Sequence, residues 1–298
     1  MLYYAILRIA LLAFCSFITA SLAAPTRRGC SIFTDLVVFG DSSSDDGNFY
    51  KASNDVWPSS PYYRGAFSNG PVWSHYLAAA ERWNVHTYAY AYSTSNSSYV
   101  PPVAPVPSTP IPGVVQQVDL FKPTANTFNP NKTLIAIWNQ GNDFADAVMQ
   151  ANPNVVAQSI ANAITALYTS GMRHFLLFQI LDMTKTPALL PYKGSPVYQW
   201  FSEMGTAYNG ALATFVSQFT TQHTDVRFTT VNTNQFFTQY APKFKNTSAP
   251  CLTVNGTTVD SVCSNVVDHL FWDDTHPTTA GHALLANYVY SLLKPNTA

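Results

Sequence analysis

Two short segments of the sequence carry side chains that could act as a nucleophile and its base. The first is the stretch GDSSSDDGN, in which Ser42 follows an apolar run at residues 35–40. A serine at the carboxyl end of a buried strand, where the chain turns towards a helix, exposes its hydroxyl and points its backbone N–H outward, where it can bind an oxyanion. Taken alone, a turn rich in Ser, Asp and Gly is more often a plain helix N-cap.

The second segment is WDDTHPT, in which Asp273 stands three residues before His276. In a loop, an aspartate at this spacing can curl back and accept the Nδ1–H of the imidazole, which leaves Nε2 free to take a proton from a serine. The alternative is that Asp273 and Asp274 merely favour the N-terminus of the next helix and that His276 lies on the surface. Without a partner serine, this alternative is the better interpretation.

The elements that must position these segments follow an alternating pattern. Short apolar runs predict strands at residues 35–40, 88–92, 133–138, 173–181 and 225–231. Amphipathic or capped stretches predict helices at residues 71–83, 114–121, 144–150, 155–169, 200–222 and 280–293. Apolar strands separated by helices predict an α/β fold with a central parallel sheet and helices on both faces, whose sites lie at the carboxyl ends of the strands.

A proline-rich stretch at residues 93–113 interrupts this pattern. Such a composition favours an extended surface loop over a core element. The stretch could also be a linker between domains, but the alternation of strands and helices continues on both sides of it. We therefore expect a long loop near the site and a single domain at residues 36–298.

Together the two reactive segments resemble blocks of the GDSL/SGNH hydrolases. The stretch FGDSSSDDGN at residues 39–48 is similar to the first block, typically FGDSLSDxGN, and FWDDTHPT at residues 271–278 to the last, which contains DxxH. Between them, FSNGPVW at residues 67–73 resembles the second block and WNQGND at residues 138–143 the third, while VVQQV at residues 114–118 falls where relatives carry a glutamine-bearing helix. The resemblance extends in chain order from about residue 36 to the C-terminus.

The resemblance implies a three-layer α/β/α fold, flavodoxin-like in its sheet, and a role for each matching residue. Ser42 would be the nucleophile, His276 the general base and acid, and Asp273 the residue that orients His276. The oxyanion hole would consist of the backbone N–H groups of Ser42 and Gly70 and the side-chain amide of Asn142. No metal or other cofactor is implied.

Three positions depart from the pattern of the family. Ser43 replaces the usual leucine after the nucleophile, and Gln140 replaces the first glycine of the GxND block, with Gly141 one place later. Residues 91–93, AYS, stand where many relatives have paired glycines. These departures put the geometry of the loop behind Asn142 and the shape of the pocket rim in question.

The N-terminal segment and four potential N-glycosylation sites predict secretion. Residues 1–23 read as a signal peptide, although Arg8 lies inside the apolar run, and the alternative is a single membrane anchor. Arg27 and Arg28 are either a dibasic processing site or two solvated arginines within an N-terminal segment at residues 24–35. Four sequons follow the predicted signal peptide, at Asn96, Asn131, Asn246 and Asn255.

The cysteines fit an oxidising compartment. Cys251 and Cys263 are twelve residues apart around a turn-like stretch, and a disulfide between them is the natural pairing. This leaves Cys30 either as a buried thiol or as a residue of the terminal segment. Neither the cysteines nor the scattered histidines have the spacing of a metal site.

The composition limits the partners of the protein. With 15 Lys and Arg against 16 Asp and Glu, the chain lacks the basic surface that nucleic acid requires. We expect a monomer, without stable membrane insertion, acting on small-molecule or oligosaccharide esters. The leading hypothesis is a secreted serine esterase for short acyl groups such as acetyl on carbohydrate. The alternatives are a lipase or lysophospholipase for longer chains, and a non-catalytic carbohydrate-binding protein of the same fold, against which the intact triad argues.

Overall fold

The computed structural model of the chain describes residues 32–146 and 150–294. The predicted signal peptide at residues 1–23 and the predictions for Arg27, Arg28 and Cys30 lie outside these ranges. Among the described helices, none combines the length and apolarity that a membrane-spanning segment needs.

The centre of the fold is a five-stranded sheet in which all neighbouring strands are parallel. Its strands are β1 (Asp35–Gly40), β2 (Asn84–Thr87), β3 (Thr133–Trp138), β4 (His174–Phe178) and β5 (Arg227–Val231), in the spatial order β2-β1-β3-β4-β5. This is the flavodoxin-like order, in which the chain reverses direction across the sheet between β1 and β3. The carboxyl ends of these two strands therefore border the crevice where such sheets place their sites.

Eight helices flank the sheet in the described part of the chain. They are α1 (Asn48–Ala52), α2 (Trp73–Glu81), α3 (Val114–Phe121), α4 (Asn142–Asp146), α5 (Pro153–Thr169), α6 (Pro196–Gln222), α7 (Thr233–Tyr240) and α8 (Thr279–Leu293). Side-chain oxygens of Asn152, Ser195 and Thr278 accept backbone N–H groups in the first turns of α5, α6 and α8, and thus fix where these helices begin.

The alternation of side chains along the strands produces two cores. On β1, Val37 and Phe39 pack with α3, α5 and α6 on one face, whereas Leu36 and Val38 pack with α2 and α8 on the other. All four side chains are fully buried. Since both faces of the sheet are covered by helices, the predicted three-layer α/β/α fold is confirmed.

The strand predicted at residues 88–92 was misplaced, because β2 lies at Asn84–Thr87. Tyr88 and Tyr90 still donate their N–H groups to the carbonyls of Val38 and Gly40. The N–H of Gly40, however, donates to the side chain of Gln117 (2.9 Å) and is not available to β2. The ladder between β1 and β2 ends there for lack of that donor.

The carboxyl side of the sheet carries a third cluster of apolar side chains. Phe49, Trp57, Tyr62, Phe67 and Trp272 are its large buried members. The proline-rich stretch packs on this cluster through Ala104, Val106 and Ile111, which favours its interpretation as a loop of this domain. An antiparallel hairpin, β6 (Leu252–Asn255) and β7 (Thr258–Val262), packs there as well and was not predicted from the sequence.

Candidate active site

Ser42 lies in the turn that follows β1. The turn begins at Gly40, whose φ of +146° and whose approach to β3 both exclude a larger residue, since a Cβ there would lie 2.1 Å from the carbonyl oxygen of Trp138. The N–H groups of Ser44 and Asp45 then donate to the carbonyl of Asp41 and close the turn. Ser42 remains half-buried at the carboxyl end of the sheet, as the sequence predicted.

His276 and Asp273 lie in a tight loop before α8, which the N–H of Trp272 closes by donating to the carbonyl of His276 (2.7 Å). The Nε2 atom of His276 is 2.7 Å from the Oγ of Ser42. Its Nδ1 atom is 2.7 Å from Oδ1 and 2.8 Å from Oδ2 of Asp273. The three side chains therefore form one hydrogen-bonded chain, although 234 residues separate Ser42 from His276.

The electrostatics of this pair favour a charged aspartate beside a basic imidazole. Burial disfavours the charged form of His276, but the charge of Asp273 and its hydrogen bond outweigh burial and raise the pKa of His276 above its usual value. Burial would also raise the pKa of Asp273, yet the imidazole and the N–H groups of Thr275 and His276 lower it below its usual value. His276 is thus held by a carboxylate that stays ionised.

The first and third blocks are joined through Asp41. Its carboxylate accepts the N–H groups of Ser43 (3.0 Å) and Gln140 (2.5 Å). Because the group is fully buried, its pKa is raised to about 6 in spite of these bonds. The side chain of Gln140 accepts the indole N–H of Trp138 (2.7 Å), and Gly141 takes the positive φ of +113°. Glutamine therefore fits where relatives have glycine, because the next residue supplies the special backbone conformation.

Asn142 is the first residue of α4, directly beyond this loop. Its side-chain amide donates to the carbonyl of Ser93 (2.8 Å), which uses one of its two N–H bonds. The neighbouring Asp143 is buried and accepts the N–H and the hydroxyl of Ser95. The stretch that departs from the paired glycines of relatives is thus fastened to the third block.

Gly70 lies against the N-terminus of α8. A Cβ at this position would lie 2.5 Å from the Oγ1 of Thr279, so the close approach requires glycine. The side chain of Asn69 accepts the N–H of Thr279 (2.7 Å) and joins the second block to the helix that follows His276. The structure therefore brings the second block to the segment that carries the candidate base.

Several residues at the site were missed or placed differently by sequence reasoning. The hydroxyl of Tyr62 donates to Oδ2 of Asp273 (2.7 Å), and nothing in the sequence signals this contact. Gln117, noticed only as part of a glutamine-bearing helix, binds both the N–H and the C=O of Gly40. Trp73 and Trp272, which belong to the second and last blocks, are both buried.

A disulfide closes the base of the β6–β7 hairpin, and backbone hydrogen bonds join the hairpin to the segment before Asp273. The structure contains the Cys251–Cys263 bond. The N–H groups of Cys251 and Leu252 donate to the carbonyls of Phe271 (3.2 Å) and Trp272 (2.6 Å), directly before Asp273. Closing a loop of this size is worth about 3 kcal/mol, so the bridge stabilises the hairpin on which this loop rests.

Groups that could hold a metal ion are few in the described ranges. The one cluster of His, Cys, Asp and Glu atoms close enough to share an ion consists of Cys251, Cys263 and His269. Both sulfurs are already joined in the disulfide, so neither is a thiolate ligand.

The four sequons differ in their surroundings. Asn131 and Asn255 are exposed, the latter as the last residue of β6 before the turn to β7. Asn96 is half-buried, and its oxygen accepts the N–H of Ser98. The amide of Asn246 is engaged, since its nitrogen lies 3.0 Å from Nε2 of His269 and its oxygen accepts two backbone N–H groups.

The family of the chain follows from comparison with known proteins. Residues 36–289 match the model of the GDSL-like lipase/acylhydrolase family, and the chain belongs to this family. The resemblance noted in the sequence is thereby confirmed. The chain is accordingly a carboxylic ester hydrolase.

Proteins of different names resemble this chain along much of its length. An acetylesterase of Thermothelomyces thermophilus is 26% identical over 91% of this chain and 91% of its own length. A thermolabile hemolysin of Vibrio parahaemolyticus is 29% identical over 84% of this chain, which spans 62% of the hemolysin. The crystal structure of a putative GDSL-like lipase from Parabacteroides merdae has a TM-score of 0.51 at 11% identity, covers 91% of this chain and all of its own, and bears on the fold alone.

Proposed function

We propose that the protein is a secreted serine esterase that removes short acyl groups, acetyl above all, from carbohydrate. The observation that carries the catalytic part is the continuous hydrogen-bonded chain from Ser42 through His276 to Asp273. An unactivated serine hydroxyl is a weak nucleophile, and a base within hydrogen-bond distance is what makes it reactive.

In the proposed reaction, Nε2 of His276 takes the proton of the Ser42 hydroxyl while Oγ attacks the ester carbonyl. The oxyanion would be bound by the N–H groups of Ser42 and Gly70 and by the free N–H of the Asn142 amide. The imidazolium then gives its proton to the leaving alcohol, which produces an acyl-Ser42 intermediate. Water, deprotonated by His276, releases the acid and restores the Ser42 hydroxyl.

One observation supports a short acyl group. An acetylesterase is similar to this chain along nearly the whole of both chains, at 26% identity.

Secretion and the absence of a polyanionic partner are supported indirectly. The Cys251–Cys263 disulfide suits an oxidising compartment, and two of the sequons present an exposed asparagine. With a net charge of −1, the chain has no excess of positive charge that would attract nucleic acid or other polyanions. A neutral oligosaccharide ester, hydrolysed by a monomer, fits these properties.

A series of p-nitrophenyl esters from acetate upward, assayed beside acetylated xylo-oligosaccharides, tests the proposal. We expect the highest kcat/KM with acetate, release of acetate from the oligosaccharides, and loss of both activities in Ser42→Ala. A serine-reactive organophosphate should label Ser42 in the wild type and still label it in the neighbouring control Ser43→Ala. A label elsewhere would refute the triad, whereas rates that increase with acyl length would favour the lipase alternative.

A further inference from the structure

The carboxylate of Asp273 is held from two sides. Its Oδ1 accepts backbone N–H groups from its own loop, those of Thr275 (3.0 Å) and His276 (2.8 Å). Its Oδ2 accepts the hydroxyl of Tyr62 (2.7 Å), which comes from a segment 211 residues earlier in the chain. The imidazole Nδ1 lies between the two oxygens, within 2.8 Å of each. Tyr62 is thus the contact that fixes the orientation of the carboxylate plane from outside its loop.

The surroundings of Tyr62 leave its hydroxyl only one role towards this carboxylate. Its ring is 6% exposed and packs edge-on against Trp57 (5.3 Å between centroids) and Trp272 (6.4 Å), with Phe67 at 5.2 Å. Burial and the nearby charge of Asp273 raise the pKa of Tyr62 above its usual value. The hydroxyl therefore stays protonated at every pH at which an esterase works, and it donates a hydrogen bond to Oδ2.

The same cluster also reaches the imidazole directly. The ring of Phe67 lies 5.0 Å from that of His276, between centroids, and also contacts the ring of Tyr62. An aromatic layer thus supports both His276 and Asp273. Among the described residues, the hydroxyl of Tyr62 makes the hydrogen bond that joins this layer to the carboxylate.

From these contacts we propose that Tyr62 is a positioning residue of the triad, which orients Asp273 and tempers its effect on the basicity of His276. The proposal rests on the proposed function, because Tyr62 acts only through Asp273 on His276. A donor on Oδ2 withdraws part of the negative charge that would otherwise stabilise the imidazolium. Removing that donor should leave His276 more basic and the Asp273 carboxylate freer to rotate.

The test is the pH dependence of kcat/KM for p-nitrophenyl acetate in Tyr62→Phe, which retains the packed ring. The acidic limb should move to higher pH by roughly half a unit to one unit. At pH values above the limb, kcat should fall about three- to tenfold with KM nearly unchanged. The matched control is Tyr288→Phe, which removes the hydroxyl of another buried tyrosine, one that donates to Oε1 of Gln235 (3.2 Å) in the core between the sheet and α8. Its limb and its kcat should match the wild type.

The rate at which an organophosphate labels Ser42, measured across pH in the same variants, separates the two proposals. Labelling at Ser42 with an unshifted limb in Tyr62→Phe overturns the role of Tyr62 and leaves the proposed function intact. Labelling that does not occur at Ser42 refutes the proposed function itself. If Tyr62→Phe does not fold by circular dichroism, Tyr62→Met provides the same comparison. Failure of both variants to fold would show that the tyrosine serves the fold, and would overturn the proposal.

Discussion

Replacement of Asp273 by asparagine should remove most of the activity, because the new amide selects the wrong tautomer of His276. The backbone N–H groups of Thr275 and His276 donate to Oδ1 and will hold the amide oxygen at that position. The NH₂ group then takes the place of Oδ2, at 2.8 Å from Nδ1 of His276. An NH₂ group facing Nδ1 favours the tautomer in which that atom accepts, in competition with the amide oxygen at the Oδ1 position, 2.7 Å away. The fraction of His276 with its proton on Nε2, where it can no longer take the proton of Ser42, therefore increases.

The size of the loss in kcat follows from the free energy needed to rotate the amide of the variant so that its oxygen takes the place of Oδ2. Turning the amide over would leave two backbone N–H groups without an acceptor, at about 1–3 kcal/mol each. At 1.36 kcal/mol for each tenfold change, a total of about 2–6 kcal/mol corresponds to a loss of roughly 30-fold to 3 × 10⁴-fold. The carboxylate charge that stabilises the imidazolium is lost in addition. We therefore expect kcat to fall about 10³- to 10⁴-fold, the upper value being that known for the same exchange in a serine protease.

The matched control is Asp274→Asn, which removes the adjacent carboxylate. Asp274 is exposed, and its backbone carbonyl, which the substitution retains, accepts the N–H of Ala188 (2.9 Å). Its kcat for p-nitrophenyl acetate should stay within about threefold of the wild type, since surface changes of this kind have small effects. The reasoning is refuted if Asp274→Asn is the more damaging substitution, or if a folded Asp273→Asn variant retains more than a tenth of the activity.

Three further predictions concern the base, the oxyanion donor and the sequons. Because the pKa of His276 is raised and the base must be neutral, kcat/KM should fall as pH drops through one ionisation above about 6.5; a limb at distinctly lower pH would contradict this. Asn142→Ala should lower kcat about a hundredfold with little change in KM, whereas a rise in KM alone would return Asn142 to a structural role. In protein secreted from a eukaryotic host, glycopeptide mapping should find glycans at Asn131 and Asn255 but not at Asn246, and an occupied Asn246 would speak against the described fold around His269.

The strands with the clearest signal in the sequence are those whose side chains are buried on both faces. On β1 and β3 nearly every side chain is buried, so an apolar run marks each of them without reference to the rest of the chain. The helices with capping residues at Ser195 and Thr278 were also predicted close to their observed positions. These signals are local, and local signals are what a single sequence displays.

The elements that could not be predicted depend on distant contacts. Strand β7 has mostly exposed side chains, including Thr258 and Ser261, and shows no buried alternation. It is held by the disulfide and by its pairing with β6, which in turn bonds to the carbonyls of Phe271 and Trp272. Helix α7 has the polar sequence TNQFFTQY, and of its two buried residues, Thr233 and Phe236, only one is apolar, so the sequence shows no apolar stripe that would reveal the helix.

The same distinction applies to the site. Ser42 and the Asp273–His276 spacing could be found because each motif is contiguous, and a tight turn fixes the geometry within each of them. Tyr62 lies in the stretch SSPYY, which reads as a turn, and its partner is 211 residues away. Its function depends on an aromatic layer assembled from two segments far apart in the chain, one with Trp57 and Phe67 and the other with Trp272. The residues that would carry out the chemistry can thus be recognised from short motifs. The residue that adjusts the basicity of His276, in contrast, can be recognised only from the fold.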